Sequence, residues 1–435
     1  MKNLTTTLIY LFFYINVWSQ NTNQNFVTTD IDNFWNAYDK ITSTKDSATQ
    51  YNFLNKLYIE KGTAGLKAFM QVKGYTAKSW IDALNKYPLF WQSIRSKTLK
   101  TKDFASEIEK EVEKLRKLYP ALKPAKVYFT IGALQSNGTT LDSLVLIGAE
   151  MAMGDKDVVT TEFSKQRGDF LKGYYGSNPT KDVVFLNVHE YVHTQQKRYG
   201  YDLLSQSVFE GVAEFMAVQT TGKFSSLTFM SYGKSNDARI KAKFSTEMFY
   251  SFWNNWLYND LENEFKERDL GYYVGYAICE KYFEQAKDKK QAIKELIELD
   301  YGDRVAVENF VEKSGYFTES LSILKAKFNE NTPRVLNIKE FKNGDQAVNP
   351  NNTKLTIEFS AKMNKNFRSL EIGELGEDYL LKTKLVGFSE DGKSITYEIA
   401  LKPNQRYQLI IDSGFRNELG IRLNPYLIDF KTTQQ

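Results

Sequence analysis

Apolar positions fall at two different periods along this chain, and the change of period divides it. From Asp30 to Leu122 they recur at helical spacing, as in "DIDNFWNAYDKI", "TQYNFLNKLYIEKG" and "ASEIEKEVEKLRKLYP". This predicts a helical region over 21–122, punctuated by Pro88 and Pro120. From Lys126 to Leu134 apolar and β-branched residues alternate, as in a strand. Ser136-Asn137-Gly138-Thr139 is turn chemistry, and Leu144–Glu150 reads as a second strand. Helical spacing returns from residue 201 onward, including "KKQAIKELIELDYG", and a second region is set at 123–330. After Asn331-Thr332-Pro333 the period drops to two. "VLNIKEF", "KLTIEFS", "YLLKTKLVGFS", "SITYEIAL", "RYQLIID" and "LIDFKTT" are separated by the turn clusters "NPNN", "EDGK" and "KPNQ". That pattern predicts a β-sandwich over 333–435. The expected fold class is α+β, a helix-rich body with a small mixed sheet followed by an all-β sandwich.

The stretch "FLNVHEYVHTQQ", residues 185–196, holds both histidines of the chain. It follows Asn178-Pro179-Thr180, a turn and helix start, and contains no glycine or proline. On a helix, His189 and His193 share one face, and two imidazole nitrogens there can grip one ion at about 2 Å from each. Glu190 is turned by about 100° from His189 and borders the ion without ligating it. This is the H-E-x-x-H arrangement of two zinc ligands and a general base. A pair of ordinary core histidines is the plainer reading. It would also place histidines elsewhere, and there are none. A catalytic zinc takes three protein ligands. With no third histidine and one cysteine, Cys279, the third ligand should be a carboxylate. "SVFEGVAEFMAV", residues 207–218, reads as a second helix with Glu210 and Glu214 on one face.

These motifs resemble the gluzincin metallopeptidases, which carry H-E-x-x-H on one helix and a glutamate ligand on a following one, often in an E-G-x-A setting as in the M1 aminopeptidases. Glu210-Gly211-Val212-Ala213 matches, so the resemblance implies Glu210 as third ligand. The gap from His193 is slightly short for that group, which keeps Glu214 as runner-up. In the thermolysin-like relatives an acid at the offset of Glu214 orients a ligating imidazole; a solvated helix face is the alternative. Gluzincins often take an oxyanion donor from a Y-x-x-G setting. In "GYYVGYAICEKYF", residues 271–283, Tyr272 stands three before Gly275, with Tyr276 as fallback. A helical tyrosine otherwise simply packs. The implied mechanism is attack of a zinc-activated water on a peptide carbonyl, with Glu190 moving the proton to the leaving amine. The relatives lay the peptide along an edge strand, a place Leu144–Glu150 would take. "GAEMAMG" departs from the G-x-M-E-N motif with which M1 enzymes hold a free amine, so aminopeptidase activity does not carry over.

Residues 25–330 look most like the DUF2268 family of predicted zinc-dependent proteases, specifically at H-E-Y-V-H, E-G-V-A-E and G-Y-Y-V-G-Y. The last segment resembles the bacterial Ig-like modules. It carries Phe359-Ser360-Ala361-Lys362-Met363, then Leu401-Lys402-Pro403-Asn404 leading to Tyr407, and Phe430-Lys431-Thr432. The resemblance implies a spacer or binding module that contacts another protein or the cell surface.

Composition narrows the picture. A net charge of +4 over 435 residues, with no basic aromatic patch, argues against nucleic acid as partner and leaves a peptide or protein substrate. One cysteine permits no intramolecular disulfide, and Cys279 reads as a buried small hydrophobe. "MKNLTTTLIYLFFYINVWSQ", residues 1–20, has the lysine and apolar stretch of a signal peptide. Its cleavage implies export to the periplasm or outside, with no stable membrane insertion; an uncleaved anchor is the alternative. Two rivals to an exported zinc peptidase remain: a binding or scaffold protein with a non-catalytic zinc site, and a gluzincin-type hydrolase of a non-peptide substrate.

Overall fold

A computed structural model describes residues 25–197, 200, 202–250, 253, 255–259 and 263–434. The expected signal segment, residues 1–20, lies outside the described residues. The chain forms two compact units. One runs up to Lys110 and resumes over Lys123–Thr194; the other takes Glu111–Leu122 and Gln195–Gln435.

In the first unit the helical spacing becomes helices at Thr29–Thr42, Ser47–Leu54, Ala64–Lys73, Ala77–Lys86 and Pro88–Thr98. Their starts are chemically marked. Asp46 and Thr63 accept from the backbone of Thr49 and Leu66, and Thr76 with Ser79 forms a capping box. Pro88 opens its helix, where the missing N–H costs nothing. The apolar faces meet in an aromatic core of Phe34, Trp35, Tyr58, Trp80 and Trp91, all buried. The polar tips in that core hold one backbone point. Tyr58 Oη donates to the Ile131 carbonyl at 2.6 Å and Trp80 Nε1 donates to it at 3.1 Å, while Ile131 N–H donates back to Tyr58 at 3.1 Å. The chain is thereby tied down just after a sheet strand.

That sheet is β1 (Phe26–Val27), β2 (Lys126–Thr130), β3 (Gly138–Leu141) and β4 (Leu144–Gly148), in the order β1-β2-β4-β3. β1, β2 and β4 run parallel, and β3 lies antiparallel on β4. Four details differ from the sequence expectation. β2 ends at Thr130, before Leu134 takes a left-handed φ of 65°. The Ser136–Thr139 stretch is not the hairpin turn; its second half opens β3, and the turn falls at Asp142-Ser143, with Asp142 at φ 51°. Leu144–Gly148 is an interior strand, and the edges of the sheet are β1 and Gly138–Leu141. Glu150 belongs to the short helical turn Ala149–Ala152, not to the strand.

In the second unit the helices are Leu203–Thr221, Thr228–Ser235, Asp237–Glu247, Leu270–Gln285, Lys289–Glu298, Arg304–Ser314 and Leu321–Glu330. Beyond them lie β5 (Val335–Ile338), β6 (Lys354–Phe359), β7 (Leu370–Glu371), β8 (Thr383–Phe388), β9 (Ser394–Ile399), β10 (Arg406–Ile411) and β11 (Tyr426–Lys431). They form two antiparallel sheets, β5-β6-β9-β8 and β11-β10-β7, around one core that includes Leu355, Ile357, Ile395, Leu409, Ile428 and Phe430. The motif residues of this region have structural reasons. Met363 is a core side chain. The Lys402 N–H donates to Tyr407 Oη at 2.8 Å, and Thr432 Oγ1 donates to the Lys402 carbonyl at 2.7 Å. The late turn and the last strand therefore close on each other. Among the described residues, no helix is long and apolar enough to cross a membrane.

Candidate metal centre

The histidine helix is Val183–His193. Asn178, at φ 62°, reverses the chain, and a 3-10 turn over Pro179–Asp182 leads into the helix. Val183, Val184, Phe185, Val188, Tyr191 and Val192 are all buried, as are Asn187, His189 and Glu190. A helix apolar on nearly every side is a buried helix. Tyr191 pins it in register: its hydroxyl accepts from the Ala125 N–H at 2.8 Å and donates to the Lys123 carbonyl at 3.3 Å. Those residues lead into β2, so the last turn of the helix is fixed to the start of the strand. The i, i+4 spacing then does what it must. The Nε2 atoms of His189 and His193 lie 3.0 Å apart.

Glu190 is 7 % exposed and faces β3. A Cβ at Gly138 would fall 2.6 Å from Glu190 Oε1, so only glycine leaves the carboxylate its space there. The edge strand and the candidate base are thus neighbours by backbone approach.

The glutamate helix, Leu203–Thr221, begins at Asp202, which accepts from Ser205 N–H at 2.8 Å and from Arg304 Nε at 2.8 Å. It packs closely on the tyrosine helix, Leu270–Gln285. A Cβ on Gly211 would fall 2.0 Å from the Gly275 carbonyl carbon, and one on Gly275 would fall 1.8 Å from the Ser207 oxygen. The glycines of the E-G-V-A and Y-Y-V-G motifs are the two sides of one backbone contact.

Glu210 is 5 % exposed. Its Oε1 accepts from Gln206 Nε2 at 3.2 Å and from the Tyr258 hydroxyl in a short bond. The ligand atoms of His189, His193 and Glu210 all lie within 4.8 Å of one another, a group that could hold a metal ion. Glu214 is buried one turn further along and is not in that group.

Tyr272 is half-buried, its ring centroid 5.6 Å from Phe229 and 6.2 Å from Tyr258. Tyr276 is buried, and its hydroxyl donates to Glu280 Oε1 at 2.7 Å. Burial, with the charge of Glu280 added, pushes the Tyr276 hydroxyl well above its ordinary range. Tyr258 escaped the sequence reading. It lies 48 residues beyond Glu210, in a stretch without period or motif that could mark it. Burial of its hydroxyl, and then the Glu210 carboxylate, push that group far upward, so it stays a donor. Cys279 is buried, as its apolar surroundings in the sequence suggested. In the first unit, burial pushes the Glu150 carboxyl up to about 7, although the Gly132 and Leu134 N–H groups donate to it.

Residues 172–303 match the family model described as "Predicted Zn-dependent protease (DUF2268)". The matched segment holds the two histidines, Glu190, Glu210, Glu214, Tyr258, Tyr272 and Tyr276. The match covers that segment alone and does not reach the C-terminal sandwich. No curated protein matches the chain. The solved structures it matches include "Crystal structure of the S-layer protein rSbsC(31-844)" at 12% identity and "Structure of surface layer protein SbsC, domains 1-6" at 11%. Each alignment covers 94% of this chain with a TM-score of 0.19, a likeness too slight to carry weight. The chain spans 45% of the length of either surface-layer chain.

Proposed function

We propose that the protein is an exported zinc metallopeptidase. The observation that carries the reading is the convergence of His189, His193 and Glu210 beside a helix turn that also bears Glu190. The residues suit the metal. Two imidazole nitrogens 3.0 Å apart can each reach one ion at about 2 Å. Two histidines and one carboxylate are the ligand set of an open, catalytic zinc, whereas a structural zinc is closed by four ligands. Among the described residues the group has three members.

A zinc held there would supply a Lewis acid for the scissile carbonyl and for the attacking water. Glu190 takes the proton of that water and delivers it to the leaving amine. Tyr272 donates to the oxyanion, with Tyr276, whose hydroxyl donates to Glu280, as the alternative donor. Glu214 orients a ligating imidazole. The peptide pairs with the edge strand Gly138–Leu141, where Gly138 brings the substrate backbone to Glu190. Residues 1–20 direct export, and the C-terminal sandwich is an Ig-like module that contacts another protein or the cell surface.

The test is zinc content of the purified protein together with cleavage of an unbiased peptide library by wild type and Glu190→Gln. About one zinc per chain, and cleavage by wild type alone, are expected. A wild-type protein that takes up no zinc sinks the reading. Zinc without cleavage of any peptide sinks the peptidase and leaves the scaffold or non-peptide hydrolase. Fractionation of the native host tests export separately.

A further inference from the structure

Glu210 is a carboxylate on a helix, and a carboxylate can ligate through either oxygen or both. Something must choose. In this chain Oε1 already has two donors, Gln206 Nε2 at 3.2 Å and the Tyr258 hydroxyl. Gln206 Nε2 also donates to the Tyr258 oxygen at 3.0 Å, so the three groups close a triangle. Gln206 comes from the turn before Glu210, but Tyr258 comes from a separate segment.

Tyr258 is not there for packing. Its surface is 53 % exposed, yet its hydroxyl is inserted against Glu210. Its backbone is also in the left-handed region, at φ 56°, which a bulky residue adopts only when its surroundings impose it. The surroundings do so through a clasp. The Tyr258 N–H donates to Asp269 Oδ1 at 2.7 Å. The Asp269 N–H donates to Asn259 Oδ1 at 2.9 Å, and Arg268 Nε donates to the Asn259 carbonyl. Asp269, itself at φ 58°, is the residue directly before the tyrosine helix, and Tyr272 meets the Tyr258 ring edge-on at 89°.

We propose that Tyr258 is a positioning residue for the metal ligand: with Gln206 it occupies Oε1 of Glu210, reserving Oε2 for the metal, and the clasp to Asp269 ties that setting to the start of the helix that carries Tyr272. The proposal rests on the zinc-site reading above. It adds a residue outside the ligand set and the general base, and it assigns a purpose to the strained backbone at Tyr258. Hydrogen bonds of this outer kind fix the orientation of a ligand and so its affinity for metal.

The test uses the full chain and zinc alone. Zinc affinity is measured by competition with a chromophoric chelator for wild type, Tyr258→Phe, Gln206→Leu and Asp269→Ala. The visible spectrum of the Co2+-loaded proteins is recorded beside it. Tyr258→Phe should lower zinc affinity by about 10- to 100-fold and shift the Co2+ bands, because the released carboxylate can swing toward two-oxygen ligation. Gln206→Leu removes the other donor and should give the same signature, and it decides the matter if Tyr258→Phe fails to fold. Asp269→Ala should act in the same direction and more weakly. Melting of the metal-free Tyr258→Phe protein should match wild type, since the ring stays. Equal affinity and an unchanged Co2+ spectrum in Tyr258→Phe and Gln206→Leu overturn the proposal while leaving a zinc site standing. No zinc uptake by wild type overturns both.

Discussion

The histidine helix and the glutamate helix fix their candidate ligand groups by different means. On the first, the backbone does the work. His189 and His193 are brought to 3.0 Å by their spacing, and the helix itself is pinned by Tyr191 through main-chain bonds to Lys123 and Ala125. On the second, side chains do it. Glu210 has a longer, freer arm than an imidazole, and it is steadied by Gln206 one turn back and by Tyr258 from 48 residues away. A ring with two torsions is placed once its helix is placed. A glutamate with three torsions needs outside partners. The two halves of one candidate centre are therefore exposed to different kinds of damage.

The largest effect should come from breaking the backbone-set half. His193→Ala should take zinc in the purified protein from about one per chain to near zero, read by elemental analysis, because among the described residues the ligand group has three members and the substitution removes one. Next is Glu190→Gln, which leaves the ligands alone. Peptide turnover should fall by about 10²- to 10⁴-fold with zinc content unchanged, and loss of zinc instead would mean that Glu190 is a ligand. Gly138→Ala sharpens the contrast further. Its new methyl meets Glu190 Oε1 at 2.6 Å, so turnover should drop by about 10- to 100-fold with no loss of zinc. Gly211→Ala attacks the other helix through packing rather than chemistry. The added carbon meets the Gly275 backbone at 2.0 Å, and chemical denaturation should report a loss of about 1–3 kcal/mol. The smallest effect has the opposite sign. Gly173, inside the helix Lys165–Gly176, has nothing within 4 Å of its would-be Cβ, so Gly173→Ala should stabilise by about 0.5–1 kcal/mol.

The same difference explains what could be read from the sequence. His189, Glu190 and His193 are legible because helical register is a property of adjacent residues. Glu210 is legible through its glycine, since Gly211 must face Gly275 and the E-G-V-A pattern records that need. Tyr258 is not legible, because its partner is distant and its strained backbone leaves no pattern. The edge strand was misplaced for a local reason. Ser136-Asn137-Gly138-Thr139 carries turn residues, and all four residues of Gly138–Leu141 are half-buried, so no alternation marks them as a strand. β1 and β7, two residues each, are too short to show any period. In β6, β9 and β10 an apolar residue at every second position is buried, as at Leu355, Ile357 and Phe359 or at Ile395, Tyr397 and Ile399, and that repeat made these strands readable.

The contact of Gly211 with Gly275 also bears on how this chain can change over time. Most packing contacts can drift, because a larger side chain on one surface is offset by a smaller one opposite. Here neither partner has a side chain to give up. A gain at either position has no compensating loss available, so the two positions cannot trade size along any path of single substitutions. The spacing of those two helices is accordingly a fixed gauge in the protein's history, while the surfaces around it remain free to vary.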